Sequence, residues 1–176
     1  MPVREILLLG NPRLYQVSSP VTPADLPRLA PMVEDLRDTL LAFRRQYGAG
    51  RAIAAPQIGH MVRLVYVHLE GTPWAHLAPG PVALLNPTFT WRSPEMMPVW
   101  DDCMSFPDLL VRVLRHRACR LEYRDLEWRP QTWELEGDLS ELLQHECDHL
   151  DGVLAVSRAM DGQSVALRSQ RHLLED

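Results

Sequence analysis

The sequence predicts an α+β fold in which short mixed or antiparallel strands pack around a central helix, with an amphipathic helix near the N-terminus. Three observations lead to this class. A helical apolar period in the first third of the chain gives way to short strand-like runs, and a second helical pattern follows them. Strands and helices do not alternate regularly, which disfavours a parallel α/β sheet. A length of 176 residues suits one core, so residues 1–176 are predicted to form a single domain.

The first predicted element is an amphipathic helix from Asp25 to Tyr47. Its apolar residues recur at three- and four-residue steps: Leu29, Val33, Leu36, Leu40 and Phe43. The run Gly48-Ala49-Gly50 follows, and glycine readily adopts the left-handed conformation that ends many helices. We therefore expect the helix to stop at this run.

Strands are predicted for the middle of the chain. Proline, glycine and serine separate short apolar or alternating runs there, a pattern typical of strands joined by turns. The predicted strands are Met61–Leu69, Val82–Leu85, Thr88–Trp91, Leu109–Val113, Ala118–Tyr123 and Gln131–Leu135.

A second helix is predicted over Leu139–His149. Asp138 is a suitable N-cap, and Glu141 follows it at the spacing of a capping box. Gly152 is a suitable stop. A weaker pattern predicts a third helix over Gln163–Leu174.

Composition excludes several function classes. All 18 basic residues are arginine, and a chain without lysine lacks the amine that Schiff-base enzymes, pyridoxal phosphate enzymes and P-loop proteins use. The formal net charge of −5 gives no bulk electrostatic reason to bind nucleic acid or an anionic membrane. Neither is therefore expected as a partner.

The cysteines and the N-terminus predict a cytoplasmic protein. Three cysteines are an odd number, and none lies in a CxxC pair, so we expect no disulfide framework. No apolar run approaches the roughly 20 residues of a membrane span. The run Ile6–Leu9 is too short for the core of a signal peptide.

The predicted second helix contains an H-E-x-x-H sequence. His145 and His149 are four positions apart, which places them about 40° apart around a helix, so both can face one metal ion. Glu146 can then take a proton from a water molecule at that ion. Imidazole ligands suit zinc, iron(II), nickel and cobalt, so the pair does not select the metal. The alternative is a solvated helix with two chance histidines.

A metal site with one open position needs a third protein ligand, and the spacing leaves this ligand open. The extended metallopeptidase pattern fails at its last position, which is Ala155. Cys147 lies about 200° around the helix from His145, which indicates a core position. The remaining candidates are Cys103, Cys119, His60, His68, His76, His116 and His172, of which Cys119 is expected to be a buried structural thiol.

The surroundings of Cys103 lead to a resemblance with a known family. Three stretches occur in order: Gly50–Gln57 (GRAIAAPQ), Asp101–Ser105 (DDCMS) and Gln144–His149 (QHECDH). They resemble the three motifs of peptide deformylases, which read G-x-G-x-A-A-x-Q, E-G-C-x-S and Q-H-E-x-D-H. The third motif is intact and the first two are altered, and the resemblance covers most of the chain.

The resemblance implies a divalent metal ion held by Cys103, His145 and His149, with Glu146 as general acid and base. It implies Fe²⁺ as the ion, with Zn²⁺, Ni²⁺ or Co²⁺ able to take its place. These ligands agree with the candidates read from the residues alone.

The resemblance also assigns residues to the substrate. The side-chain amide of Gln57 and the backbone N–H of Met104 would stabilise the oxyanion that forms on the formyl group. The residues implied to bind the peptide are Gly50, Ala52, Glu141 and Leu142.

The implied activity is removal of the formyl group from the formyl-methionine that begins new polypeptides, with release of formate. The implied partner is the formylated nascent N-terminus at the ribosome, and a monomer is expected. Two alternatives stay open. One is a divergent hydrolase of another N-formyl or N-acyl peptide or small formamide, and the other is an inactive homologue that binds peptide N-termini.

Three departures from the family motifs bear on this function. Ala52 stands in place of the second glycine, and Arg51 stands beside it in place of an aliphatic residue. Asp101 and Asp102 replace Glu-Gly. Asp101 is expected either to hydrogen-bond a ligand histidine or Arg115, or to be a solvated loop charge like Asp102.

Acidic residues also stand where the family lines its methionine pocket. On the metal-bearing helix these positions are Asp138, Glu141 and Leu142. Either the two acids form the capping box, or the pocket favours a polar or basic first side chain, because methionine is costly to bury against an unpaired carboxylate.

Overall fold

Two antiparallel sheets and two α-helices make up the structure, a computed structural model that describes residues 3–77 and 80–174. The α+β class with antiparallel strands is confirmed. In chain order the elements are α1 (Leu26–Tyr47), β1 (Ala52–Ala54), β2 (Leu64–Val67), β3 (Val82–Arg92), β4 (Met96–Asp102), β5 (Leu109–His116), β6 (Ala118–Arg124), β7 (Pro130–Glu136), α2 (Asp138–Leu150) and β8 (Val165–Leu167).

The two sheets meet around α2. The larger sheet has the strand order β1-β2-β3-β6-β7, and the smaller has the order β4-β5-β8. Helix α2 contacts β1, β2 and β7 of the larger sheet and β5 of the smaller one. Because it is packed from both sides, nearly every residue of α2 is buried, polar residues included.

Helix α1 buries the apolar stripe of its sequence. Leu29, Leu36 and Leu40 are fully buried and pack with Leu64 of β2. The helix ends at Gly48, which has a left-handed φ of 68° and donates its N–H to the carbonyl of Arg44. The termination signal of the sequence therefore acts where it was expected.

Strand β3 joins two segments that the sequence predicts as separate strands. Asn86 lies between them with a φ of 50°, and the pairing with β6 shifts register after Leu85. The Asn86 side chain is held by Val21, whose N–H donates to Oδ1 at 2.9 Å and whose carbonyl accepts from Nδ2 at 2.8 Å. These contacts favour an uncommon backbone conformation without ending the strand.

Strands β1 and β4 are not predicted from the sequence. The three residues of β1 are too few to show an alternating pattern. Strand β4 contains Pro98, which argues against a central strand, but β4 lies at a sheet edge, where proline is tolerated. The predicted strand Met61–Leu69 is shorter in the structure, where β2 covers Leu64–Val67.

The predicted third helix over Gln163–Leu174 is wrong. This segment forms β8, which pairs with Leu109–Val111 of β5, and a 3₁₀ helix follows at Arg168–Leu173. The backbone is fixed on both sides of β8, since Arg112 N–H donates to the Ser164 carbonyl and Arg168 N–H donates to the Asp108 carbonyl. Pairing with a sheet edge therefore outweighs the weak helical period of the sequence.

The predicted capping box at the start of α2 is also wrong. Gly137 occupies the N-cap position with a φ of 54°, and no side chain caps the helix. Asp138 instead accepts a hydrogen bond from Trp74 Nε1, and Glu141 pairs with Arg51. Both carboxylates turn away from the helix start because these partners lie on the cavity side.

Gly152, just beyond α2, carries an expected destabilisation that can be measured. Its φ is +69°, and a Cβ placed there would lie 2.5 Å from the carbonyl oxygen of Tyr15. Gly71 has a similar φ of +73° with open space around it. Gly71→Ala should therefore lower the free energy of unfolding by only roughly 1–2 kcal/mol, the cost of a left-handed backbone for alanine.

Gly152→Ala should lower the free energy of unfolding by the same amount and by about a further 1–3 kcal/mol, because its methyl group overlaps with Tyr15. Urea unfolding of the two variants and the parent chain measures both losses. Equal losses at the two glycines would contradict the close packing of Gly152.

No helix among residues 3–77 and 80–174 is both long and apolar enough to cross a bilayer.

Candidate metal centre

Three buried side chains bring potential metal-ligating atoms together. They are Cys103, His145 and His149, whose ligating atoms all lie within 4.8 Å of one another. The Cys103 Sγ lies 3.2 Å from His149 Nε2, which lies 3.1 Å from His145 Nε2. The two ring nitrogens and the thiol sulfur thus converge on one point.

The local fold explains this convergence. His145 and His149 lie one turn apart on α2, as their spacing requires. Cys103 directly follows β4, which pairs along its full length with β5, and β5 contacts α2. The smaller sheet therefore carries the thiol to the helix that bears the histidines.

The geometry of the cluster fits a divalent metal ion. A tetrahedral ion with thiolate and imidazole ligands holds its ligand atoms about 3.3–3.6 Å apart, close to the separations found here. Two ring nitrogens 3.1 Å apart also need a proton or a cation between them, because their lone pairs repel. The donor set suits Zn²⁺ and other first-row metal ions.

Asp101 orients the first of these histidines. Its Oδ1 lies 2.7 Å from His145 Nδ1, a distance at which a protonated Nδ1 donates to the carboxylate and Nε2 stays free as a ligand. Its Oδ2 accepts from Arg115 at 2.6 Å. Asp101 is fully buried, so the interpretation of this residue as a solvated loop charge is wrong.

The charges around Asp101 determine the protonation of this pair. Burial favours the neutral acid, but His145 and Arg115 outweigh it and lower the pKa of Asp101 to about 2. Burial alone disfavours the charged ring of His145, but Asp101 and Cys103 raise its pKa well above the usual value. A negative Asp101 therefore faces His145.

Arg115 extends this chain of charges to Asp148, a contact that was not predicted from the sequence. Its second contact is with Asp148 Oδ2 at 2.5 Å, and Asp148 also accepts two hydrogen bonds from Arg158. Asp148 precedes His149 on α2, so both histidines border one buried network. The presence of Asp148 inside the H-E-x-x-H sequence was the one feature of the sequence that pointed to this network.

Glu146 lies beside the three candidate ligands on the wall of a cavity. Its side chain is buried, and Oε2 has no hydrogen-bond partner among the described residues. Burial raises the pKa of Glu146 to about 7, with opposing contributions from nearby charges. A carboxyl group with this environment can both accept and return a proton near neutral pH.

Gln57 and Met104 border the same cavity. Gln57 is buried, and its Oε1 accepts from the N–H of Ala54 at 2.9 Å. This bond aims Nε2 towards Ser105 Oγ, at 3.2 Å, and Cys103 Sγ, at 3.6 Å. The amide N–H groups of Gln57 therefore point at the centre of the site.

The cavity has a volume of 540 Å³ and contains the other residues that the sequence analysis assigned to the substrate. They are Gly50, Ala52, Glu141 and Leu142. Trp74 and two arginines of the C-terminal segment, Arg168 and Arg171, also line it and were not predicted from the sequence.

The other cysteines and histidines lie outside this cluster. Cys119 and Cys147 are buried in the apolar core between α2 and the larger sheet, as predicted. Among the described residues, no second group of cysteine, histidine and acidic side chains has the geometry to hold a metal ion.

This chain is similar to known proteins over most of its length. The family model described as polypeptide deformylase matches residues 3–164. Peptide deformylase 1 of Prochlorococcus marinus is 39% identical over 169 residues, which cover 93% of this chain and 84% of that protein. A protein of Brucella melitensis named peptide deformylase-like is 36% identical over 158 residues, covering 90% of this chain and 89% of that protein.

Solved structures give the same result. The crystal structure of peptide deformylase from Thermotoga maritima matches with a TM-score of 0.79 and 29% identity, covering 92% of this chain and 100% of that one. The enzyme from Synechococcus elongatus, solved in complex with actinonin, matches with a TM-score of 0.80 and 28% identity, covering 93% of this chain and 82% of that one. Since the matches in sequence and in structure extend over nearly the whole chain, it belongs to the peptide deformylase family of hydrolases.

Proposed function

We propose that this protein hydrolyses the N-formyl group of formyl-methionine at the start of newly made polypeptides and releases formate. The observation that carries the proposal is the convergence of Cys103, His145 and His149 beside Glu146 at a cavity wall. The protein would act in the cytoplasm as a monomer. Its partner would be the formylated N-terminus of a nascent chain at the ribosome. The chain is taken to act as one domain.

The proposed metal ligands are Cys103, His145 and His149. When bound, the divalent ion acts as a Lewis acid on the formyl oxygen and lowers the pKa of water towards neutrality. Fe²⁺ is the proposed ion, and Zn²⁺, Ni²⁺ and Co²⁺ suit the same ligands. A thiolate and two neutral imidazoles supply one negative charge.

Glu146 is proposed to move the proton. It accepts a proton from the attacking water as the oxygen bonds to the formyl carbon. It then returns this proton to the peptide nitrogen as the carbon–nitrogen bond breaks. Formate and a free N-terminal amine result, and Glu146 regains its starting state.

The amide of Gln57 and the N–H of Met104 are proposed to donate to the oxyanion. Both residues border the cavity, and the Met104 N–H has no hydrogen-bond acceptor among the described residues. A donor aimed at a developing oxyanion contributes about 3 kcal/mol to the barrier reduction. The Ala54 N–H holds the Gln57 amide in place for this role.

The peptide backbone is proposed to pair with β1. This strand lies at an edge of the larger sheet, and an exposed edge can accept an extended peptide as a further strand. Gly50 and Ala52 lie at that edge and line the cavity. The methyl group of Ala52 would leave less space for the peptide beside β1, but the backbone N–H and C=O groups of β1 that would pair with the peptide are retained.

The test of this function measures formate release from formyl-Met-Ala-Ala by protein prepared anaerobically, with its metal content determined. We expect turnover that disappears when a chelator removes the metal and returns when Fe²⁺ is restored. Metal-loaded protein that binds the peptide but releases no formate would overturn the proposal in favour of an inactive homologue.

A second candidate is hydrolysis of another N-formyl peptide. The specific observation in its favour is the ion pair between Arg51 and Glu141 in the cavity, where an apolar surface would suit methionine.

Asp101 gives an expected effect on metal affinity. Asp101→Asn removes the negative charge that faces His145 and leaves Arg115 paired only with Asp148. We expect the affinity for Zn²⁺ or Co²⁺, measured by chelator competition, to fall about 10–100-fold. Asp101→Glu, which keeps a carboxylate, should recover part of this loss.

Asp102→Asn is the matched control, because the Asp102 carboxylate pairs with the partly exposed Arg168 instead of a ligand. Its metal affinity should stay near that of the parent protein. If both aspartates gave equal losses, Asp101 would have no specific role in orienting His145.

A further inference from the structure

An ion pair forms part of the cavity wall next to the metal centre. Arg51 donates through Nη2 to Glu141 Oε2 at 2.8 Å, and the two side chains are 16% and 11% exposed. The Arg51 guanidinium also lies over the Trp74 ring, 4.9 Å from its centroid. We call Arg51 and Glu141 together the Arg51–Glu141 pair.

The Arg51–Glu141 pair lies where a substrate side chain would meet it. Glu141 is one helical turn before His145 on the same face of α2, so their Cβ atoms are about 5–6 Å apart. Arg51 directly precedes β1, whose edge is the proposed docking strand for the peptide. A first side chain entering the cavity from β1 therefore reaches both members.

The pair keeps free hydrogen-bonding capacity on both sides. A guanidinium has five N–H donors, and a carboxylate has two oxygens. Among the described residues, Arg51 uses one donor and Glu141 uses one oxygen, both on each other. Further N–H donors and the second oxygen, Glu141 Oε1, remain for a ligand.

Neither charge sign is favoured for a side chain that enters here. A basic side chain would compete with Arg51 for Glu141 and be repelled by the guanidinium. An acidic side chain would be repelled by Glu141 and by Asp138, which also lines the cavity. Three arginines and four carboxyl groups of the described residues line it, so their charges nearly cancel.

A neutral amide can hydrogen-bond both to the free donors of Arg51 and to the free acceptor of Glu141. Its carbonyl accepts from the Arg51 guanidinium while its NH₂ group donates to Glu141 Oε1. Methionine and norleucine can do neither, because a thioether is a weak acceptor and an alkyl chain has no polar atom. A methionine or norleucine side chain would displace water from Arg51 and Glu141 without replacing the hydrogen bonds that the water makes, which is costly.

We propose that the Arg51–Glu141 pair determines substrate specificity by selecting peptides whose formylated first residue carries a neutral amide side chain of glutamine length. This inference rests on the proposed deformylation reaction and deepens its second candidate, because the formylated first residue that it selects is not methionine. Glu141 supplies the acceptor and Arg51 supplies the donors of this amide-binding surface. The acids of α2 therefore do not form an open anionic pocket for a basic side chain.

The test compares kcat/KM for formate release from formyl-Gln-Ala-Ala, formyl-Nle-Ala-Ala and formyl-Arg-Ala-Ala. We expect the parent protein to favour the glutamine peptide over the norleucine peptide by at least about tenfold, since sites that hydrogen-bond a substrate discriminate against analogues without the polar group. The double variant Arg51→Leu with Glu141→Leu should reverse this order. The exchanged pair, Arg51→Glu with Glu141→Arg, should keep a preference for glutamine.

A matched control removes an ion pair elsewhere. Arg120 and Glu134 pair at 2.6 Å across β6 and β7, both more than a third exposed and outside the cavity lining. Arg120→Leu with Glu134→Leu should leave the order of the three peptides unchanged. Any reordering in this variant would show that loss of an ion pair alone, rather than its place in the cavity, alters specificity, and would overturn the inference.

Binding of the unformylated peptides separates failure of the pocket from failure of the reaction. Calorimetry on the metal-loaded protein should give tighter binding of Gln-Ala-Ala than of Nle-Ala-Ala, and the double leucine variant should lose the difference. If this holds without formate release, the specificity inference stands and the proposed function falls. If formyl-Nle-Ala-Ala or formyl-Arg-Ala-Ala is the best substrate, the inference is overturned and deformylation stands.

Discussion

Glu146→Gln is expected to lower kcat for deformylation by about 10²–10⁴-fold while the metal content stays at the parent level. Glutamine has nearly the shape of glutamate but cannot accept the proton of the attacking water. The ligating atoms of Cys103, His145 and His149 are untouched by this change. A large loss of rate without loss of metal therefore separates proton transfer from metal binding.

The measurement is steady-state formate release together with metal analysis of the same sample. Glu146→Asp is the informative companion, because it keeps a carboxylate one methylene shorter and should retain more activity than the glutamine variant. If Glu146→Gln kept more than about a tenth of the parent kcat, general acid–base catalysis by this residue would be wrong.

Helix α2 and its pair of histidines could be predicted from the sequence because their signals are local. The four-residue spacing of His145 and His149 determines their relative direction once the segment is helical. Tertiary contacts do not alter that geometry. The environment of Glu146 adds what spacing cannot supply, namely the burial that raises its pKa to about 7.

The third candidate ligand was not accessible from spacing. Cys103 is 46 positions from His149, and only the pairing of β4 with β5 brings them together. The sequence alone left two cysteines and five histidines open. The resemblance to the family motifs selected Cys103, and its proximity to the histidines is a property of the smaller sheet.

The predicted capping box failed for a related reason. Asp138 and Glu141 have the local spacing of a cap, but Arg51 is 90 positions from Glu141 in the chain. A local motif competes with any distant partner that the fold brings close. The opposite charges at two positions that are apolar in the family were the available signal for the Arg51–Glu141 pair.

The strands show how tertiary pairing overrides local pattern. Strand β4 forms despite Pro98 because it lies at an edge, and β8 forms in a segment with a weak helical period because β5 offers it backbone partners. Neither sheet edge can be identified before the order of the strands is known. Secondary structure at such edges therefore depends on contacts that the local sequence does not encode.

Cys103→Ala is expected to remove the metal or reduce its affinity by more than the roughly 10–100-fold that follows loss of a group supporting a ligand. Alanine supplies no ligating atom, and the two remaining imidazoles then face each other at 3.1 Å with one fewer negative charge nearby. Metal analysis after dialysis against a weak chelator measures the loss. Turnover should fall in proportion to the metal.

Cys119→Ala and Cys147→Ala are the matched controls for this loss, because all three cysteines are buried and none forms a disulfide. Burial raises the pKa of both Cys119 and Cys147, so neither thiol readily becomes the thiolate that binds a metal ion. Each control should lose packing stability while keeping its metal. Equal metal loss in all three variants, with circular dichroism showing an intact fold, would contradict Cys103 as the ligand and return the third position to the histidines outside the cluster.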